Sequence, residues 1–379
     1  MSLPAPARAV IAGAIAAGVF PTATADVGSS AGSMFSEAFD TDLATPFDLA
    51  SLTKAIATTT VVMDLVAQGV LRLEDAVSAF FEEWRSADRD TVTVRDLLEH
   101  ASGLPARLLD LPPHGQREFE HDICATPLEY PPRTRSVYSD LGFILLGFIV
   151  ADRGGASLSE LFEKIMVRLK ADPTYDRALD PASDGDAGSA PDRDSRPAPG
   201  SRGVRLQADL LTFALPSDLR DLAAPTRAMD EDSRRGRVFR GEVHDNYAAQ
   251  LGGAAGHAGL FGSAPAVGAF ARAILRSARG DCDVPPPFTP ELTARFTAKT
   301  RVPGSSRALG WDTMLPTSSC GARMSAATFG HVGYTGTSLW IDPARDRYFV
   351  LLTNRVFGGG TLDDMRAVRR AFHDALGDL

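Results

Sequence analysis

Cysteine is scarce. Cys124, Cys282 and Cys320 are the whole supply in 379 residues. They are odd in number, far apart and never in a C-x-x-C pair. A disulfide framework or a structural zinc site needs clustered or paired cysteines, so the three read as unrelated thiols. No stretch approaches the roughly 20 apolar residues that cross a bilayer, and no membrane-spanning helix is expected. Positive charge is in deficit: 39 Lys and Arg face 48 Asp and Glu, a net charge of −9. Such a chain has no global field drawing it onto nucleic acid or anionic lipid, and no basic run supplies a local one. His244 and His257 lack an H-E-x-x-H pattern or the spacing of a third ligand, so neither a metal nor another cofactor is expected. What remains is ordinary, 44% apolar and 23% charged, which excludes a disordered, collagenous or coiled-coil chain. The length fits two or three domains or one large catalytic unit.

The N-terminal run Ala9 to Phe20 follows Arg8, and Ala23-Thr24-Ala25 offers a small-x-small pattern, as in a secretory leader. The run is mostly Ala and Gly, and it fits equally an amphipathic helix closed by Gly18 and Pro21, with a strand through residues 22 to 27. Pairing of both chain ends in one sheet favours the helix and a cytoplasmic protein; a leader cut near Ala25 would make it periplasmic or secreted. Residues 51 to 68 form an apolar helix-length block ending at Gly69, apolar around most of its circumference and hence buried. Residues 93 to 100, capped by Thr93, and 141 to 151, with Asp140 where an N-cap belongs, are further helices. Residues 265 to 278 have helical spacing of Val267, Phe270, Ile274 and Leu275. Residues 337 to 342 and 347 to 353, parted by Asp342-Pro343-Ala344-Arg345-Asp346, read as a hairpin. Thr361 and Asp364 start a closing helix in a capping-box spacing. Between residues 180 and 203 there is no Val, Ile, Leu or Phe, which predicts an exposed loop. The pattern predicts an α/β (α+β) fold: an antiparallel-rich mixed sheet from residues 1–75 and 305–379, flanked by helices, with a mostly helical subdomain, 76–304, inserted, the whole forming one catalytic domain.

The sharpest local motif is Ser51-Leu52-Thr53-Lys54. Spacing of i and i+3 puts Ser51 and Lys54 on one helical face. A serine hydroxyl needs an adjacent base, and a Lys whose proton affinity is tuned by burial or neighbouring charge can serve. A helix N-terminus adds a positive end and the Ser51 backbone N–H, which can stabilise an oxyanion. Alone, the spacing is common. Two further motifs accompany it: Tyr138-Ser139-Asp140 before a buried helix, and His331-Val332-Gly333 opening a late strand, followed by Tyr334-Thr335-Gly336-Thr337.

S-x-x-K, then Y-x-[ND], then [KH]-x-G resembles the penicillin-recognising serine hydrolases in the branch with Tyr in the second motif: class C β-lactamases, D-alanyl-D-alanine carboxypeptidases, and their esterase and amidase relatives. The resemblance runs along nearly the whole chain. It includes the lead-in Thr45 to Ala50, the segment Leu97-Leu98-Glu99-His100-Ala101-Ser102-Gly103-Leu104-Pro105, and the Gly-rich stretch Leu251 to Phe261. It implies a β-lactamase/transpeptidase-like fold, Ser51 as acyl-accepting nucleophile, Lys54 sharing its proton and Tyr138 as general acid/base. It places Asp140, His331, Gly333, Tyr334 and Thr335 in substrate binding, with the Tyr334 N–H as second oxyanion donor.

Two positions depart from the usual pattern. Asp140 stands where Asn is common, and an ionised carboxylate only accepts hydrogen bonds; it favours a charged Lys54 and shifts weight to Tyr138. His331 stands where the lactamases carry Lys. A His near its reference pKa of about 6.5 is mostly neutral at pH 7, so a lysine there would restore a fixed charge. This points toward esterase, peptidase and amidase relatives. His100 reads as structural, bonding the turn at Ser102-Gly103. His257 is a candidate for the cleft wall. Arg240-Gly241-Glu242-Val243-His244-Asp245 resembles a segment of cell-wall-peptide amidases and carboxypeptidase-like proteins, either shaping specificity or simply packed. The expected function is a serine hydrolase acting through a Ser51 acyl-enzyme on a small-molecule or peptide amide or ester: a cell-wall peptide, an ester or a β-lactam. The rival is a non-catalytic sensor that binds β-lactams or cell-wall peptides in the same site.

Overall fold

The computed structural model describes residues 1–108, 112–172, 175, 209–377 and 379. The low-complexity segment from 180 to 203 lies outside the described residues.

Both ends of the chain build the main sheet. Its six strands run in the spatial order Gly32–Phe39, Ala23–Ser29, Arg347–Thr353, Ser338–Asp342, Phe329–Val332, Asp312–Thr313, and each described pairing is antiparallel. The first strand therefore sits inside the sheet, with Ala25 opposite Leu351 and Val27 opposite Phe349. Alternation sorts the side chains onto two faces. Ala23, Ala25, Val27, Trp340, Phe349 and Leu351 share one apolar cluster with Leu3, with Ala7 and Ile11 of the helix Ala5–Ala16 and with Met365, Phe372 and Leu376 of the helix Leu362–Leu376. Leu339, Ile341, Tyr348, Val350 and Leu352 face the other way, against Phe270 and Ile274 of the helix Ala264–Ala278. Each large apolar side chain so buried contributes about 1.5–3 kcal/mol, which ties the N-terminal helix firmly to the fold.

The elements match the sequence pattern closely, with two instructive differences, one in a helix and one in a strand. The cap of the helix Asp140–Gly154 is Ser139, whose hydroxyl accepts from the Gly142 N–H, so Asp140 is the first helical residue and its side chain is free for other work. The His331 motif closes the strand Phe329–Val332 instead of opening one; register places His331 opposite Leu339, on the face away from the N-terminal helix. Capping boxes form at Thr93 with Asp96 and at Thr361 with Asp364. A second, three-stranded sheet pairs Phe47–Asp48 with Phe261–Gly262, which also pairs with Leu211–Thr212. It delivers the chain to Ser51 and brings the Gly-rich segment beside it.

Among the described residues no single helix is long and apolar enough to cross a membrane. Cys124, Cys282 and Cys320 are unpaired.

Candidate active site

Ser51 follows Ala50, whose φ of +47° is a strained setting for a residue with a Cβ. The strain is held on all sides: the Ala50 N–H donates to Asp48 Oδ1 (2.8 Å), Thr53 Oγ1 donates to the Ala50 carbonyl (2.6 Å), and the Leu260 N–H donates to Thr53 Oγ1 (3.1 Å). The chain then winds as a π-turn over Lys54–Thr58, with the Thr59 N–H reaching back to the Lys54 carbonyl, before the α-helix Thr59–Ala67. Such wide turns break the 3.6-residue period and gather at functional sites. Here the wide turn carries Lys54.

Lys54 is fully buried and has three acceptors. Its Nζ donates to Asp140 Oδ1 (2.7 Å), to Ser51 Oγ (3.1 Å) and to the His257 carbonyl (3.1 Å). It also lies 4.7 Å from the centre of the Tyr138 ring. Burial pushes the Lys54 ammonium toward losing its proton; the Asp140 carboxylate, joined by Tyr138, outweighs this and holds its pKa above the ordinary lysine value. The His257 carbonyl reaches Lys54 because Gly256 packs against the helix Asp140–Gly154: a Cβ at Gly256 would stand 1.9 Å from the Phe143 carbonyl oxygen. Thr58 Oγ1 fixes the same loop by donating to the Gly256 carbonyl (2.6 Å).

The second motif is held by His100, whose Nδ1 accepts from the Ser139 N–H (3.0 Å) and whose ring lies 4.7 Å from that of Tyr138. Its role is thus to support the Tyr138 loop; the expected bond to the Ser102-Gly103 turn is not the one it makes. Burial, then the charges of Arg307 and Lys54, hold His100 well below its usual pKa. His331, 6.0 Å from the Tyr138 ring, is also buried, and its Nδ1 faces the Val332 carbonyl at 2.9 Å. Burial first, then Arg307 and Lys54, depress its pKa well below the usual histidine value. It is neutral throughout the physiological range, so the partial charge expected at neutral pH is gone. Arg307 brings a guanidinium to the Tyr138 side of the cleft: it lines the cavity and lies 5.1 Å from the Tyr138 ring.

Ser51, Tyr138, Asp140, His331, Gly333 and Tyr334 all line one cavity of about 1050 Å³, with Arg107, His244, Asp245 and Tyr247 in its wall. Among the described residues, neither the Ser51 nor the Tyr334 N–H donates to a backbone acceptor. The turn carrying Tyr334 is braced from behind by Arg355, whose Nη2 donates to the Tyr334 carbonyl (2.6 Å), and by Arg369, whose Nη2 donates to the Gly333 (2.7 Å) and Thr337 (2.8 Å) carbonyls. Thr335 does not face the cavity: its hydroxyl donates to the Asp48 carbonyl (2.8 Å) and ties this turn to the Ser51 lead-in. The His257 ring is likewise behind the wall, with Nε2 2.8 Å from Asp245 Oδ1. His244 stacks on Tyr334, ring centres 5.8 Å apart. Arg107, Asp245 and Arg307 escaped sequence reasoning; only Asp245 fell in a segment that stood out.

A family model described as Beta-lactamase matches residues 39–373. The chain belongs to the β-lactamase family. Within that family it is similar to an Escherichia coli O157:H7 protein provisionally named D-alanyl-D-alanine carboxypeptidase, 28% identical over 337 residues, covering 82% of this chain and 69% of that protein. It is also similar to the N-acetylmuramyl-L-alanine amidase of Bacillus subtilis (strain 168), 29% identical over 330 residues, covering 82% of this chain and 68% of the amidase. Among solved structures, a class C β-lactamase from Rhodobacter sphaeroides superposes with a TM-score of 0.70 at 17% identity, covering 98% of this chain and 99% of that one, which shows the shared fold. The β-lactamase-family chain is accordingly a hydrolase.

Proposed function

We propose that this β-lactamase-family hydrolase cleaves amide or ester bonds through an acyl-enzyme on Ser51, with alanine-containing cell-wall peptides as the first substrates to try. The observation that carries the proposal is the Lys54 Nζ, 3.1 Å from the Oγ of the cavity-lining Ser51 and flanked by the Tyr138 ring. Ser51 Oγ attacks the substrate carbonyl, and its proton passes to Tyr138, which enters the step as a phenolate beside the Lys54 ammonium. The backbone N–H groups of Ser51 and Tyr334 receive the developing oxyanion. Tyr138 then protonates the leaving amine or alkoxide, and water releases the acyl group by the reverse path. The strong Asp140 pairing keeps Lys54 charged, so Lys54 serves as an electrostatic partner and Tyr138 carries the proton. Support for peptide substrates comes from two relatives whose names both denote cleavage of an amide at alanine.

The test is turnover of a p-nitrophenyl ester and of muropeptides, with intact mass on the trapped enzyme. An adduct that disappears in Ser51→Ala, together with loss of turnover, supports the proposal. Turnover that survives Ser51→Ala refutes it.

A further inference from the structure

Five residues, Lys54 among them, close into a ring of hydrogen bonds. Lys54 Nζ donates to Asp140 Oδ1 (2.7 Å); Arg107 Nη1 donates to Asp140 Oδ2 (3.1 Å) and to Asp245 Oδ2 (3.1 Å). His257 Nε2 lies 2.8 Å from Asp245 Oδ1, and the His257 carbonyl accepts from Lys54 Nζ (3.1 Å), which returns to the start. Two cations and two carboxylates alternate around it. Burial alone would raise the Asp245 pKa, but His257 and Arg107 hold the group well below the usual carboxylate range. An ionised carboxylate only accepts, so the proton in the His257–Asp245 bond is on Nε2.

Arg107 is built into this ring with little freedom. Its Nη2 donates to Asn246 Oδ1 (2.6 Å), and its guanidinium lies 4.0 Å from the centre of the Tyr247 ring. Asp245 in turn caps the short helix Asn246–Gln250 by accepting from the Ala248 N–H (2.8 Å). A planar fork reaching two carboxylates and an amide at once is a task for arginine and not for lysine.

Asp140 explains why such a ring is present. A carboxylate 2.7 Å from a buried ammonium binds it far more tightly than a neutral amide would. With Arg107 on its second oxygen, the carboxylate divides its charge between two cations. Without Arg107, the full charge would fall on Lys54.

We propose that Arg107, anchored by Asp245, is a positioning residue for Lys54: it balances Asp140 and, through Asp245 and His257, fixes the carbonyl that caps the Lys54 ammonium. The proposal rests on Ser51 being the acylated serine. Arg107 touches none of the reacting atoms in this scheme. Its effect passes through Asp140 and His257.

The experiment is a cycle of four proteins: wild type, Arg107→Gln, Asp140→Asn and the double variant, each assayed on a neutral p-nitrophenyl ester with Ser51→Ala as control. Each single change leaves one charge unbalanced, whereas the double change removes a cation and an anion together. The expected result is a kcat loss of about tenfold to a hundredfold in Arg107→Gln, the range for a displaced catalytic group, with KM within about threefold. Adding Asp140→Asn should recover at least about fivefold of that loss. A purely structural role would give additive or larger losses in the double variant. Additive losses, or Arg107→Gln retaining more than about half of the wild-type kcat, would overturn the proposal while Ser51-dependent turnover left the hydrolase reading standing. Turnover independent of Ser51 would remove both. Should Arg107→Gln fail to fold, Asp245→Asn reads the same link from the other side, because it loosens both Arg107 and the His257 ring: a kcat loss of about tenfold or more with KM within about threefold supports the proposal, and an unchanged kcat overturns it.

Discussion

Asp140 holds the Lys54 ammonium at 2.7 Å from the first turn of its own helix, which makes residue 140 the main control on the proton affinity of Lys54. Burial pulls that affinity down, and the carboxylate is the largest influence raising it. Asp140→Asn removes the charge and keeps an acceptor. The Lys54 pKa should then fall, because burial and the nearby Arg107 cation both oppose an ammonium. If Lys54 titrates in catalysis, the acidic limb of the kcat/KM profile should move to lower pH. A limb that stays in place would show that Lys54 does not titrate in the working range. Stability should drop as well, by less than the about 3–5 kcal/mol typical of a buried ion pair stripped of one partner, since the amide oxygen still accepts. Thermal unfolding of the variant measures this.

Tyr138→Phe should leave the fold intact and reduce turnover by about 10²–10⁴-fold, the usual effect of losing a general acid or base. The ring contacts to His100 and His331 (4.7 and 6.0 Å) do not need the hydroxyl, so the thermal midpoint should change little. A variant that keeps more than about half of its turnover would remove Tyr138 from the proton path.

Short-range patterns carried most of what was legible in advance. Ser51 and Lys54 are three residues apart, and Thr361 with Asp364 forms the expected box; such features depend on local geometry alone. β-Branched and aromatic runs and helical spacing placed the strands at 337–342 and 347–353 and the helix at 265–278, within one residue of Ser338–Asp342, Arg347–Thr353 and Ala264–Ala278, for the same reason. Arg107 and Asp245 are 138 residues apart, and an arginine among 39 basic residues has no local signature that it will meet two carboxylates. The π-turn at Lys54 hides because any helical reading assumes a 3.6-residue period. His331 was legible as a motif residue, but its lost charge follows from burial and from two distant cations. Thr335 shows the converse: a motif position whose hydroxyl the fold uses to tie two chain segments together.

Residues 1–20 should prove essential to folding. Leu3, Ala7, Ile11 and Ala14 are buried against Met365, Phe372 and Leu376, and their removal would expose that whole face. Deletion of residues 1–20 should give insoluble protein or lower the midpoint by at least about 2–5 °C, the shift expected for a loss of at least about 2–4 kcal/mol in a chain this size. A truncated protein melting with the full-length chain would show that this helix adds nothing to stability.

Stability should also respond to two buried acids. Asp26 accepts from Ser33 Oγ (2.6 Å) and Tyr348 Oη (2.8 Å) beneath the sheet, and burial pushes its carboxyl up to about 6. Burial does the same to Asp48, also to about 6. An acid with a raised folded pKa binds its proton more tightly folded than unfolded. Between about pH 4 and 6 the folded protein therefore holds more protons, and stability falls as pH rises through that window, by about 2–3 kcal/mol for each group. Asp26→Asn removes one share. Relative to wild type, the midpoint of Asp26→Asn should rise between pH 4.5 and pH 7. A difference that stays constant across this range would contradict the assignment.

Substrate selection should be set by Arg307 and be independent of pH near neutrality. His331 is neutral because burial, Arg307 and Lys54 all oppose its protonation, so nothing at position 331 changes charge between pH 6 and 8. Arg307 presents a guanidinium to the cavity, and its ion-pair partner among the described residues, Asp312, stands off at 3.8 Å. The ratio of kcat/KM for a carboxylate-bearing substrate, such as a penicillin or a peptide with a free C-terminus, to that for a neutral ester should therefore be flat over this range. Arg307→Gln should lower that ratio by a few-fold, since a partly exposed ion pair is worth about 1 kcal/mol or less. His331→Lys, by contrast, would bury a third cation beside Arg307 and Lys54, and it should cost stability without raising the ratio. A ratio that declines steadily from pH 6 to 8 in the wild type, and no longer does so in His331→Gln, would return the anion-binding charge to His331 and overturn the assignment to Arg307.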